Sequence, residues 1–321
     1  MKILVTGGAG FIGSNLVHRY IEDKENEIYI LDNLSTGMMS NIQDFLQYEN
    51  VHFFKYDVRD DKIIEFIQKN AFDYIYNFAC PASPKYYLKH PIDTWETNVL
   101  GVRNILNAIK GSNTRFLQAS TSEVYGSAKE IPQKETYWGH VNCTGVRACY
   151  DEGKRVAETL IFDYIRMYNV DARVIRIFNT YGPRMNKDDG RVISNFINQA
   201  INNIDITIYG NGKQTRSFCY IDDTLNAIIL LMNKEISPQT PINIGNPTEI
   251  NMLDIATIIK EMTDSKSNIV FCKKMEDDPP RRKPDITKAI DILNWKPKIE
   301  LKEGLEKSIK YYIDKQNSEE R

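Results

Sequence analysis

A doubly wound Rossmann α/β fold, with a smaller C-terminal α/β substrate domain, is the architecture this sequence predicts. Three observations carry it. Short apolar runs alternate with helix-period stretches, a glycine-rich turn follows the first run directly, and an acid closes the second. Strands separated by helices predict a parallel sheet covered on both faces. At 321 residues the chain can form one large domain or two. A formal net charge of −2 supplies no global field for nucleic acid or an anionic membrane. No apolar run reaches membrane-spanning length, and Met1-Lys2-Ile3-Leu4-Val5 enters a strand pattern with no signal peptide. Five cysteines without a C-x-x-C pair argue against a disulfide framework, and the scattered histidines show no metal-ligand spacing. A soluble, cytoplasmic protein is expected.

Lys2–Val5 reads as the first strand, followed by Thr6-Gly7-Gly8-Ala9-Gly10-Phe11-Ile12-Gly13 and a helical pattern to about Asp23. Glycines there let the backbone approach a pyrophosphate at the positive end of the helix. Gly7, Gly10, Phe11, Ile12 and Gly13 are therefore candidate cofactor contacts. The second strand, Ile28–Leu31, ends in Asp32-Asn33, about 20 residues past the loop, where a carboxylate binds adenosine ribose hydroxyls. Such an acid repels a 2′-phosphate, which favours NAD over NADP. Ser35, Thr36 and Gly37 extend this turn as further cofactor candidates.

Val51–Tyr56, a helix near Asp60–Lys69, Tyr74–Ala79, a helix near Pro91–Lys110 and Arg115–Ala119 continue the alternation. Asp57 and Val58, just past the third strand, are candidates for the adenine, although Asp also commonly ends strands. Phe78, Cys80, Pro81 and Ser83 leave the fourth strand at its carboxyl end, where ligands of such sheets bind. Ser120-Thr121-Ser122-Glu123 closes the fifth strand. Hydroxyls and an acid directly after an apolar strand fit a ligand site, with an N-cap or turn cluster as the alternative. Tyr150 and Lys154 then stand four residues apart, on one face of a helix that begins near Arg147. A phenol beside an ammonium is an acid/base device for an alcohol or ketone. An isolated pair of this kind is common; after the glycine loop and the Thr-Ser-Glu strand end, it reads as a reactive centre.

The glycine loop, Thr121-Ser122-Glu123 and Tyr150-x-x-x-Lys154 resemble the extended short-chain dehydrogenase/reductases that modify nucleotide sugars. Longer stretches are similar to the UDP-glucuronate decarboxylase (UDP-xylose synthase) family: Tyr137-Trp138-Gly139-His140-Val141-Asn142, the run from Arg147 to Thr159, Arg176-Ile177-Phe178-Asn179-Thr180-Tyr181-Gly182-Pro183-Arg184-Met185 and Arg281-Arg282-Lys283-Pro284-Asp285-Ile286.

The resemblance implies a UDP-uronic acid substrate, a tightly held NAD whose NADH is re-oxidised in the same cycle, and a homodimer pairing helices near Asp93–Lys110 and Tyr150–Met167. It implies that Tyr150 takes the C4 hydroxyl proton, that Lys154 keeps Tyr150 anionic, and that Thr121 binds the C4 oxygen. Glu123, Ser122 and Arg282 would manage the carboxylate and the C5 proton. Asn179, Arg191, Tyr209, Arg216 and Arg282 join Pro81, Ser83, Thr121 and Glu123 as sugar-nucleotide contacts, with Tyr209 meeting uracil. Thr180 and Arg191 are implied at the cofactor, and Lys273–Pro284 as a lid over the carboxylate.

On this reading residues 1–178 with about 214–240 hold NAD, and about 179–213 with 241–321 hold the nucleotide sugar. Two departures stand out: Cys143-Thr144 where the family commonly has Pro-Ile, and Glu96 where some members carry a lysine near the ligand. An oxidative decarboxylase releasing UDP-4-keto-pentose and NADH shares these motifs. An epimerase or 4,6-dehydratase fits Thr121-Ser122-Glu123 and Arg282 less well. A catalytically dead NAD-binding sensor would be expected to lack the tyrosine or the lysine.

Overall fold

The computed structural model describes residues 1–273 and 281–319. In the first half, strands β1 (Lys2–Thr6), β2 (Glu27–Leu31), β3 (Val51–Phe54), β4 (Tyr74–Asn77), β5 (Arg115–Thr121) and β6 (Ala172–Ile177) alternate with helices. These are α1 (Phe11–Ile21), α2 (Lys62–Asn70), α3 (Pro84–Tyr87), α4 (Pro91–Glu96), α5 (Val102–Ile109) and α6 (Ala148–Tyr168). A π-helical turn, Thr97–Gly101, joins α4 to α5, so the single helix expected near Pro91–Lys110 is continuous but widened in its middle.

The second half contributes β7 (Thr180–Tyr181), α7 (Val192–Ile201), β8 (Ile206–Tyr209), β9 (Thr215–Ser217), β10 (Cys219–Tyr220), α8 (Ile221–Asn233) and β11 (Ile242–Ile244). It ends with β12 (Glu249–Asn251), α9 (Met252–Met262), β13 (Ile269–Cys272), β14 (Arg281–Arg282), α10 (Thr287–Leu293) and α11 (Leu301–Glu319).

Among the described residues seven strands form one parallel sheet, in the order β11-β6-β5-β4-β1-β2-β3. Its strands are apolar at successive positions because both faces are covered. Ile3 and Val5 pack into the core that holds α1 and α8, while Leu4 between them packs with residues of α2, α5 and α6. The seventh strand corrects the expected domain limits. Ile242–Ile244 comes from the stretch assigned to the sugar-nucleotide unit, yet pairs with β6.

The remaining small elements build a second layer. Phe196, Ile197 and Ala200 of α7 share a core with Ile255, Ala256 and Ile259 of α9 and with Ile206 and Ile208 of β8. Strand order reverses between β1 and β4, and the crevice at such a switch point opens at the strands' carboxyl ends. Among the described residues no helix is long and apolar enough to cross a membrane, and no His/Cys/Asp/Glu group could hold a metal ion.

Candidate active site

A cleft of ≈ 380 Å³ runs from the carboxyl ends of β1, β4 and β5 towards α7, β8 and β9. Of the candidate contacts predicted above, only Asp57 is absent from its lining. At one end the glycine loop forms a cradle that side chains would fill. Gly7 has a φ of +68°, and a Cβ there would lie 2.6 Å from the Phe78 carbonyl carbon. A Cβ on Gly13 would lie 2.3 Å from the Gly7 oxygen. Gly10 caps α1 without a side-chain bond and no acid stands in the first turn, leaving helix N–H groups for an anion.

Asp32 braces this loop. Its Oδ2 accepts from Ala9 N at 3.0 Å and its Oδ1 from Leu34 N at 2.8 Å. Burial raises its carboxyl, and those two N–H groups oppose the rise. Asp57 has different partners. Arg59 donates to both of its oxygens, at 3.0 and 2.8 Å, and Asn33 Nδ2 donates at 2.8 Å. Against the effect of burial, Arg59 lowers the Asp57 carboxyl to about 2. The same guanidinium binds Asp93 at 2.9 Å and Glu96 at 3.1 Å. Glu96 is therefore drawn to Arg59 and does not line the cleft.

At the reactive end, Tyr150 and Lys154 lie on the buried face of α6 against the end of β5. Burial pushes the Tyr150 phenol well above its usual value; Cys80 adds to this, and a hydrogen bond with Thr121 works against it. Lys154 Nζ donates to Ala119 O at 2.8 Å and lies 6.0 Å from the Tyr150 ring centre. In the ligand-free site burial therefore favours the neutral phenol. The lysine is turned to a backbone carbonyl.

Glu123 occupies a knot of charges. Arg282 donates from Nε and Nη2 to its two oxygens, both at 3.1 Å, and Arg147 Nη2 donates to Oε2. The Ser122 hydroxyl faces the same carboxylate at 3.4 Å. Burial alone would raise the Glu123 carboxyl, but the Arg282 and Arg147 charges outweigh it and hold it far below its usual range. Arg282 is 1% exposed and spends Nη1 on Gly126 O at 2.8 Å, so it sits within the fold rather than on a covering flap. Residues 274–280 of the expected lid lie outside the described residues.

Asp151, beside Tyr150, is buried with Oδ2 4.0 Å from Arg147 Nε. Burial, and then the Glu123 charge, push its carboxyl up. A raised folded value means the native state keeps this proton longer than the unfolded chain does. Its contribution to stability therefore falls as pH rises from roughly 4, the unfolded value, through the folded one. Asp151→Asn is expected to flatten the pH dependence of stability across that window, measured by urea unfolding at successive pH values.

Towards the nucleotide-sugar side, Arg191 donates to both oxygens of Asp189, at 2.5 and 2.6 Å, and Ser83 Oγ donates to Asp189 O at 2.5 Å. Arg216 is buried and donates to Thr215 O at 2.9 Å. Tyr209 ends β8 half-exposed. Pro81 lines the wall, and the Thr180 hydroxyl is engaged by Phe178 O and Thr224 Oγ1. Asn179 Nδ2 and Tyr87 Oη are buried without a partner among the described residues, and both residues line the cleft. Arg147, Tyr87 and Asp189 were not among the sequence candidates. Arg147 carried one signal: it opens the reactive helix three residues before Tyr150, on the same side.

The family model described as GDP-mannose 4,6 dehydratase matches residues 4–308. UDP-glucuronic acid decarboxylase 5 of Arabidopsis thaliana is 48% identical over 305 residues, 95% of this chain and 87% of the relative. UDP-glucuronic acid decarboxylase 1 of Xenopus tropicalis is 47% identical over 311 residues, 97% of this chain and 72% of that protein. Among solved structures, UDP-glucuronic acid 4-epimerase from Bacillus cereus, in complex with UDP-glucuronic acid and NAD, superposes with a TM-score of 0.88 at 26% identity, covering 98% of this chain and 99% of that one. With the glycine cradle, the Tyr150–Lys154 helix and the Glu123–Arg282 pair in one cleft, this chain belongs to the UDP-glucuronic acid decarboxylase family.

Proposed function

We propose that the protein is an NAD-dependent UDP-glucuronate decarboxylase, forming UDP-xylose and carbon dioxide through a 4-keto intermediate. One observation carries this reading. The alcohol-handling group of Thr121, Tyr150 and Lys154 shares a cleft with a carboxylate held by two guanidiniums, Glu123 with Arg282 and Arg147. A uronic acid oxidised at C4 is a β-keto acid, whose carboxylate departs because its electron pair spreads into an enolate.

The cradle of Gly7, Gly10, Phe11, Ile12 and Gly13 would hold the cofactor pyrophosphate, and Asp32, Asn33, Ser35, Thr36 and Gly37 the adenosine, with Val58, Phe78 and Cys80 as walls. When bound, the nicotinamide supplies reversible two-electron oxidation at C4. With the Lys154 ammonium and the positive nicotinamide of bound NAD favouring its phenolate, Tyr150 would accept the C4 hydroxyl proton and give it back to the C4 oxygen in the closing step. Thr121 holds that oxygen, and Lys154 holds the nicotinamide ribose. Glu123, kept ionised by its arginines, orients with Ser122 the water that protonates C5. Asn179 Nδ2, which has no partner among the described residues, suits a sugar or pyrophosphate oxygen. Arg191, Arg216 and Tyr209 complete the nucleotide end.

Release of one carbon dioxide per UDP-glucuronate consumed tests the reading, and consumption without gas release overturns it. Asp32 offers a second check, on the cofactor. Asp32→Ala is expected to weaken NAD binding by about ten- to a hundredfold, the worth of charged hydrogen bonds, while lifting the discrimination against NADP. Titration calorimetry with both nucleotides measures it. The reading includes a homodimer pairing the helices near Asp93–Lys110 and Tyr150–Met167, whose exposed Trp95 and Met167 would be covered.

A further inference from the structure

Three buried polar side chains follow one another down one face of α6. Tyr150, Lys154 and Glu158 stand four residues apart, and none is more than 7% exposed. Glu158 does not line the cleft. Its Oε1 instead accepts from Ser120 Oγ at 2.5 Å, directly beside Thr121. Lys154 bonds to Ala119, so two successive turns of the reactive helix are tied to two successive residues of β5. Arg176 of β6 clasps Glu158 from the other side, with Nε 3.0 Å from Oε1 and Nη2 2.7 Å from Oε2.

The connection continues across the sheet end. Arg176 Nη1 donates to Tyr125 Oη at 2.9 Å, and Tyr125 Oη donates to Asn243 Oδ1 at 2.7 Å. Asn243 Nδ2 donates to Gln133 O at 3.0 Å and to Asp285 O at 3.2 Å. Gln133 N in turn donates to Lys283 O at 2.9 Å, and Lys283 N to Gln133 Oε1 at 2.8 Å. Lys283 directly follows Arg282. Tyr125, Gln133 and Asn243 are all fully buried. Hydrogen bonds, unlike apolar packing, are directional, so a buried network of them favours one arrangement, although Gln133 Nε2 has no partner among the described residues.

We propose that Glu158 and Arg176 are positioning residues. Through Ser120 on one side, and Tyr125 and Asn243 on the other, they hold the Tyr150–Lys154 helix and the Arg282 strand in a single frame. For what the two halves do, the inference rests on the decarboxylase reading: oxidation at C4 and carboxylate loss at C5 stay in step, so the 4-keto sugar is reduced before it escapes.

Two variants cut the frame without touching a cleft residue. Tyr125→Phe removes the hydroxyl that joins Arg176 to Asn243 directly and leaves the second route through Glu135, whose O accepts from Arg176 Nη1 at 3.3 Å and whose Oε1 accepts from Asn243 N at 2.8 Å. Arg176→Lys keeps the charge opposite Glu158 but cannot serve both its oxygens and Tyr125. In ligand-free Tyr125→Phe, amide hydrogen exchange is expected to quicken at Lys283 and Asp285, whose N–H groups both bond to Gln133. With UDP-glucuronate and NAD, KM values should stay within about twofold while kcat falls about tenfold, the scale of a small misplacement of reacting groups. The share of turnover ending as 4-keto pentose and NADH should rise severalfold in both variants.

Wild-type kcat and product ratio in both variants would overturn the proposal. So would a loss of activity that merely tracks the folded fraction in a thermal melt. Should the wild type release no carbon dioxide, the decarboxylase reading is what has failed. The exchange at Lys283 and Asp285 then decides the frame: unchanged rates overturn it and faster rates support it.

Discussion

Tyr150→Phe is expected to lower kcat by about a thousandfold or more, at the upper range for removing a positioned acid/base group, while NAD binding stays unchanged. The substitution removes one oxygen from a ring that is stacked on Tyr87 at 5.2 Å, so the packing survives. Burial favours the neutral phenol in the ligand-free site, so the substitution removes no charge that the fold relies on. Circular dichroism and NAD titration alongside the kinetics separate lost chemistry from lost structure. Near-normal turnover would remove Tyr150 from the centre of the mechanism.

Glu123→Gln should damage both activity and stability. The amide leaves Arg282, which is 1% exposed, facing no carboxylate, and breaking a buried ion pair in this way costs about 3–5 kcal/mol. Its folded value is depressed, so the carboxylate's contribution is complete above roughly pH 4.5 and is lost as pH falls through that lower folded value. The stability gap between wild type and variant should accordingly be widest near neutrality and close in acid, which urea unfolding at several pH values measures. Turnover should fall by about a hundredfold or more, in line with losing a preorganised charge at the reacting centre. An equal gap at all pH values would mean that the pairing with Arg282 and Arg147 contributes little.

Local signals made the fold and the cofactor end legible. A glycine cradle, a helix N-terminus and an acid at the next strand end are set by neighbours in sequence, and Gly7, Gly13 and Asp32 stand where those signals put them. The lining of the reactive end could be read too, because Thr121, Glu123, Tyr150 and Lys154 sit at the end of one strand and on one helix face. Pairings between distant segments could not be read. Asp57 looks like a ligand contact until Arg59 brings Asp93 and Glu96 to the same guanidinium. Arg147 looks like the start of a helix until the fold carries Glu123 to it, and Ile242–Ile244 carries no mark of the sheet it joins. For Lys154, one acceptor proved to be the Ala119 carbonyl, which no periodicity in the sequence reveals.

The central claim is a redox cycle that opens and closes within one site. Purified protein incubated with UDP-glucuronate and a catalytic amount of NAD, followed at 340 nm while proton NMR identifies the sugar, tests it most directly. UDP-xylose with no lasting NADH absorbance is the predicted result. NADH rising in step with a UDP-4-keto-pentose would contradict the closed cycle and make the enzyme an oxidative decarboxylase.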